Sequence, residues 1–315
     1  MKYLIRSIEL LLVVVVVFVI AGIFATWAPD RTVTQLSARW AAPPSQFMEI
    51  AGLRIHFRDE GPRDDPQPIV LLHGTADSLH TWDGWAESLR SQRRVIRFDL
   101  PAFGLTGPAP DNNYSIPAYT GWVMQVLDTL GVKHCVLVGN SLGGQIAWET
   151  AVVHPERVAK LVLVDAVGYP VASKSVPIGF TLARLPGVKS LMEQILPRGV
   201  IQSSVRNVYG DPGKVTSELV DRYYELTLRK GNRAALGQRF AQMVPSNTGA
   251  LKNLQIPTLI LWGAQDRLIP LDNAHQFARD IAGSKLVVFD DLGHVPQQED
   301  PHRTLDALRA FLNLV

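Results

Sequence analysis

The chain has 315 residues, 47% of them hydrophobic and 19% charged, with a net charge of +2. That length suits one large α/β domain or two small ones, and the near-neutral balance gives no reason to expect a nucleic-acid partner. The single cysteine, Cys135, excludes an intramolecular disulfide and reads as a small buried apolar residue.

From Leu10 to Pro29 there is no charged residue, a length that suits a membrane-spanning helix of about 20 residues. Residues 1–30 are therefore expected to be an uncleaved signal anchor. A cleaved signal peptide, with secretion of the rest, is the competing reading, but its apolar core is about 7–15 residues long and Ala25-Thr26-Trp27 is a poor cleavage site. Lys2 and Arg6 precede the span, a slight positive-inside bias that places the remainder on the extracytoplasmic, periplasmic side.

Residues 31–46, with Pro43-Pro44, read as a linker. Segments 47–50 and 53–58 alternate around Ala51-Gly52 and predict a hairpin. Ile69-Val70-Leu71-Leu72 is a continuous apolar run, as in a strand buried on both faces. A helix is expected over 82–90, a strand over 94–98 and a Pro- and Gly-rich loop over 100–111. A helix over 115–130 closes at Gly131. A strand over 134–138, a helix over 145–151 and a strand over 159–164 follow. Such alternation implies a parallel sheet with helices on both faces. It breaks between 167 and 250, where prolines punctuate short helical segments. One of them, 218–229, carries Leu219, Tyr223 and Leu226 at helical spacing. This reads as a helical insertion over the sheet. Its excess of basic residues, Arg222, Arg229, Lys230, Arg233 and Arg239 among them, reads as solvated helix faces. A sharper reading has them meet anionic lipid, with Phe180, Leu182, Leu185 and Leu191 lining an entry route. Strands over 257–262 and 285–289 and helices over 273–281 and 301–314 then resume the pattern.

The chemistry centres on Gly139-Asn140-Ser141-Leu142-Gly143-Gly144, a G-x-S-x-G turn between strand and helix. Such a turn exposes a serine at a helix N-terminus, and its tight packing demands small neighbours. Serine is a weak nucleophile unless a base takes its proton and a third group orients that base. On this topology the acid precedes the histidine. Asp266 follows strand 257–262, and His294 follows strand 285–289. Both fall on loops at the carboxyl ends of strands, where ligands bind in such sheets. Asp165, at the end of the sixth strand, is the rival acid. Of the 8 histidines, His73 and His154 read as structural, and His80 and His275 as surface-helix residues. Asp99 reads as a brace for the active-site loops. The oxyanion hole needs two backbone donors, expected from Leu142 and Thr75. No His/Cys cluster has metal spacing, so neither metal nor organic cofactor is expected.

These motifs, with Leu71-Leu72-His73-Gly74, the loop from Asp99 to Gly104, Trp262-Gly263-Ala264-Gln265-Asp266 and Gly293-His294, resemble the α/β-hydrolase superfamily over residues 47 to 315. The resemblance implies an eight-stranded, mostly parallel sheet. It divides the chain into a core, 47–166 and 251–315, and a lid, 167–250, inserted after the sixth strand. With its N-terminal anchor, lid and serine elbow, the chain is similar to membrane-anchored monoacylglycerol lipases. The reading is a carboxylic-ester hydrolase acting through an acyl-enzyme on small-molecule or lipid esters. The Asn-Ser-Leu-Gly-Gly elbow is also similar to carbon–carbon bond hydrolases of aromatic degradation, which usually have Trp after the catalytic His where this chain has Val295. That class is one alternative, and a non-catalytic ligand-binding member of the fold is another.

Overall fold

The computed structural model describes residues 2–184 and 194–314. One sheet runs through it in the order β1-β2-β4-β3-β5-β6-β7-β8. Its strands are β1 (Gln46–Ile50), β2 (Leu53–Glu60), β3 (Ile69–Leu72), β4 (Val95–Phe98), β5 (Cys135–Asn140), β6 (Val158–Val164), β7 (Thr258–Gly263) and β8 (Lys285–Phe289). β1 and β2 pair antiparallel, as do β2 and β4, and every pairing from β4 through β8 by way of β3 is parallel. Ahead of the sheet come α1 (Lys2–Thr26) and α2 (Val33–Trp40); α3 (Asp83–Leu89), α4 (Ile116–Thr129) and α5 (Leu142–Val153) follow β3, β4 and β5 in turn. Between β6 and β7 lie α6 (Ile178–Ala183), α7 (Arg198–Val208), α8 (Ser217–Thr227) and α9 (Asn232–Ala241). α10 (Asp272–Asp280) follows β7, and α11 (Pro296–Glu299) and α12 (Pro301–Leu312) follow β8.

The apolar runs explain the layers. Successive strand residues point to opposite faces, and in β3 both faces are covered. Ile69 and Leu71 join Trp82, Trp85, Leu89 and Leu308 on one side. Val70 and Leu72 join Val123, Leu127, Ile146 and Trp262 on the other. A parallel sheet sandwiched this way holds its strand ends rigidly, and the loops there inherit that rigidity.

The N-terminus corrects the sequence reading. α1 starts at Lys2, so Arg6 and Glu9 lie within it. Among its described side chains, Leu10 to Val17 are exposed. Among the described residues no helix is long and apolar enough to cross a membrane. The expected signal anchor, membrane partner and extracytoplasmic location do not hold. The expected linker contains α2, whose N-terminus is capped by a reciprocal Thr32–Gln35 pair. Leu36 and Trp40 of α2 pack on Leu105 and Leu226.

The basic insertion is also less solvated than its composition suggests. The side chains of Arg222 and Arg233 are 12% and 6% exposed, Arg239 is buried, and Arg229 donates to the Thr106 carbonyl. Leu185 and Leu191 lie outside the described residues.

His80, expected on a surface helix, is buried. Its Nε2 reaches the Trp40 carbonyl at 3.0 Å, and burial holds the imidazole down to about 3, uncharged at neutral pH. Asp99 braces the loops as read. It accepts the Leu79 N–H at 2.8 Å and the Leu105 N–H at 2.7 Å and meets His56 Nδ1 at 2.7 Å. Burial alone would raise its carboxyl, but the neighbouring histidines, His56 foremost, together outweigh it and hold the group well below the usual carboxylate range. Asp99→Asn puts an NH2 donor where one accepting oxygen stood, facing these donors. It is expected to cost about 1–3 kcal/mol in urea denaturation at pH 7. Because the native carboxyl is depressed, its contribution is present above the unfolded value and lost as pH falls through the native one. The gap between wild type and variant should therefore narrow in acid.

Candidate active site

Ser141 sits where β5 turns into α5 with φ 55° and ψ −117°, a backbone that L-residues seldom adopt. The turn survives because Gly139 and Gly143, packed across it, have no side chains. A Cβ on Gly139 would overlap the Gly143 carbonyl, and a Cβ on Gly143 would overlap the carbonyl of Leu72. The crossing binds elbow, β3 and α5 into one unit. The Ser141 carbonyl accepts from Gln145 N and from Val167 N, each at 3.1 Å. Leu142 opens α5, so its N–H points out of the helix end. Thr75 lies on the loop after β3, next to Gly74, whose own space is limited by Asn140 and Ser141. Among the described residues neither the Thr75 nor the Leu142 N–H donates a hydrogen bond.

His294 and Asp266 meet as the sequence spacing suggests. His294 Nδ1 lies 2.6 Å from Asp266 Oδ2, and Asp266 Oδ1 accepts the N–H groups of Leu268 and Ile269 at 2.8 and 2.9 Å. These bonds aim one carboxylate oxygen at the imidazole. Asn140, the variable residue of the elbow, ties the histidine loop to the serine: its amide donates to the carbonyls of His294, 2.9 Å, and Val164, 3.1 Å. Glu299 of α11 accepts from Gly293 N and Gly210 N at 2.9 Å and from Asp211 N at 2.8 Å, joining the histidine loop to the inserted helices. Neither role was read from the sequence. Asn140 lay inside the motif as its variable position, and Glu299 stands in a polar run with no spacing signal.

Asp165 stands beside this group, fully buried with φ 44°. Its Oδ1 accepts from Gly263 N at 3.0 Å. Burial, and then the Asp266 carboxylate, push its pKa well above the usual range, since two adjacent carboxylates in low dielectric do not both ionise. Asp165, Asp266 and His294 offer ligand atoms within 4.8 Å of one another, a set of the size that holds a cation. Asp266 is engaged by the bonds above, and Asp165, whose Oδ2 has no hydrogen-bond partner among the described residues, is held toward its neutral form.

Ser141 and His294 share the wall of a cavity of about 390 Å³ with Gly74, Thr75, Asp77 and Asn140. The inserted helices complete the wall with Phe180, Leu182, Leu196, Val200, Val205 and Leu236, which makes it largely apolar. All five sequence-predicted site residues thus gather at one edge of the sheet. Among the described residues the Ser141 hydroxyl makes no hydrogen bond, a contact that in unliganded enzymes often forms only with substrate. The native Asp165 holds a proton that the unfolded chain gives up above about pH 4. Its stabilising contribution is full below that pH and lost as pH rises. Asp165→Asn is therefore expected to raise Tm at pH 8, with the gain shrinking toward pH 4 in a series of thermal melts.

The α/β-hydrolase-fold family model matches residues 67–301. A 2-hydroxymuconate semialdehyde hydrolase of Pseudomonas putida is 31% identical over 291 residues, spanning 85% of this chain and 96% of that protein. Among solved structures, a meta-cleavage product hydrolase from Pseudomonas fluorescens superposes with a TM-score of 0.73 at 26% identity, over 85% of this chain and 97% of the other. A bacterial membrane phospholipase A superposes with a TM-score of 0.74 at 25% identity, over 99% and 98% of the two chains. With the matching sheet, elbow and strand-end loops, these likenesses place the chain in the α/β-hydrolase fold family.

Proposed function

We propose that the chain is a serine hydrolase that cleaves a carbon–carbon bond next to a carbonyl in a small ring-cleavage product. The observation that carries this reading is the likeness to 2-hydroxymuconate semialdehyde and meta-cleavage product hydrolases over 85% of the chain. A cavity of about 390 Å³ is of a size for such a substrate. Ser141 Oγ attacks the carbonyl carbon as His294 takes its proton. Asp266 holds the imidazole in the tautomer that leaves Nε2 free and offsets the charge it gains. The N–H groups of Leu142 and Thr75 receive the oxyanion. The bond to the neighbouring carbon breaks, its electron pair passes into a conjugated carbonyl system, and the proton returns from His294. Water then attacks the acyl-serine by the same route and releases the acid. Residues 167–250 act as the cap over a core of 47–166 and 251–315.

Carboxylic-ester hydrolysis through the same acyl-serine is the second reading. It is favoured by the likeness to a phospholipase A over 99% of the chain, by the apolar wall, and by Val295 after His294. The full chain should be assayed with 2-hydroxymuconate semialdehyde and with esters of graded acyl length. A higher kcat/KM for the semialdehyde supports the first reading, and turnover of esters alone overturns it in favour of the second. In either case Ser141→Ala is expected to lower kcat by orders of magnitude, leaving a residual on the order of 10³ over water. A fluorophosphonate should label wild type and not the variant, and equal labelling would remove Ser141 from the mechanism. Asp266→Asn is expected to cost roughly 10⁴ in kcat, by analogy with the serine-protease case.

A further inference from the structure

The loop that carries Thr75 also carries an acid. Asp77 lies two residues on, its side chain is 5% exposed, and it lines the same cavity as Ser141. A carboxylate here has the wrong sign for a loop that would receive an oxyanion, because like charges in a poorly solvated site repel strongly. α8 answers it. Tyr223 Oη donates to Asp77 Oδ2 at 2.8 Å, and the Arg222 guanidinium stands 3.9 Å from Oδ1, which also accepts the Ser78 N–H at 2.8 Å. Arg222 further donates to the His80 carbonyl and to Gln298. Burial, and then Asp77, push the Tyr223 phenol well above its ordinary value, so it stays a donor. The loop itself is tight: Ala76 has φ 59° and Asp77 N reaches the Gly74 carbonyl at 3.4 Å. The far side of α8 is anchored, since Glu225 accepts from Trp40 Nε1 at 2.6 Å and from Arg31 at 3.1 Å.

We infer that Tyr223 and Arg222 are positioning residues for the oxyanion loop: they hold the Asp77 carboxylate and offset its charge, so that the Thr75 N–H meets the oxyanion. The inference rests on the acyl transfer at Ser141 proposed above. Distance makes Tyr223 the finer control, because its hydroxyl bonds directly to the carboxylate while Arg222 acts across 3.9 Å. Catalysis and the placement of the inserted helices are then linked through one hydrogen bond.

The test is a double-mutant cycle on the full chain. Tyr223→Phe removes one oxygen and leaves the ring that lines the cavity. It is expected to lower kcat and the rate of fluorophosphonate labelling by roughly ten- to a hundredfold, below the loss from deleting an oxyanion donor outright, with KM changed less than threefold. On an Asp77→Asn background the same substitution should cost at most threefold, since no carboxylate is left to offset. Arg222→Gln should show the same direction and the same relief, and it serves if Tyr223→Phe does not fold. A wild-type kcat in Tyr223→Phe, or an equal loss on both backgrounds, overturns the inference and leaves the pair as packing. Ser141→Ala run alongside separates the two failures: if it is labelled as fast as wild type, the acyl transfer itself is wrong whatever Tyr223 does.

Discussion

The interaction on which the site depends is the close contact of three backbones at the elbow. β5, the start of α5 and the end of β3 approach within distances that no Cβ tolerates. Ser141 is held at φ 55° because everything around it is over-determined. The sheet is buried on both faces, α5 packs on β5 and β6, and the Ser141 carbonyl is fixed by two N–H groups. Backbone strain of this kind is about 1–3 kcal/mol, small beside the burial of the layers on either side. The strain places a hydroxyl, a helix end and the β3 loop at one edge of the sheet.

The second constraint is electrostatic. Two carboxyls lie beside one imidazole, and their environments separate them. Asp266 accepts two backbone N–H groups and meets the histidine. Asp165 accepts one N–H and is otherwise enclosed, so burial and its neighbour keep its proton on. The two acids, rivals at the level of sequence, thus differ in their donors and in which one meets the histidine. The Asp266 carboxyl contacts His294, while Asp165 is enclosed beside it.

Much of the core was legible because its signals are local. Apolar runs of four to six residues predict the buried strands, and the elbow, Asp266 and His294 fall at strand ends whatever the details of the helices. What was missed depends on contacts between distant segments. The N-terminal stretch read as anchor and linker, whereas α2 is seated on Leu105 of the loop after β4 and Leu226 of α8. His80 read as exposed because its helical turn looks polar. Its burial comes from Trp40, which is 40 residues away. The basic insertion read as solvated because composition counts charges and not partners. Arg222 faces Asp77 and Arg233 faces Asp30, pairings with no sequence spacing to reveal them.

The same distinction bears on specificity. Ser141, Asp266 and His294 stand at strand ends of the sheet, whose geometry follows from layers that many sequences can build. The cavity wall belongs largely to the insertion, and its side chains decide what is held beside Ser141. An apolar wall desolvates a carbonyl and strengthens every fixed dipole aimed at it. It gives little discrimination between an acyl group joined to oxygen and one joined to carbon, because both present the same carbonyl. The discriminating atoms must lie where the leaving group sits, and a departing carbanion needs a conjugated acceptor that an alcohol does not. That wall also carries polar groups, Ser204, Arg233 and Gln238 among them, and polar groups discriminate where apolar contact reads only shape, since a buried polar group left unpaired penalises the wrong partner.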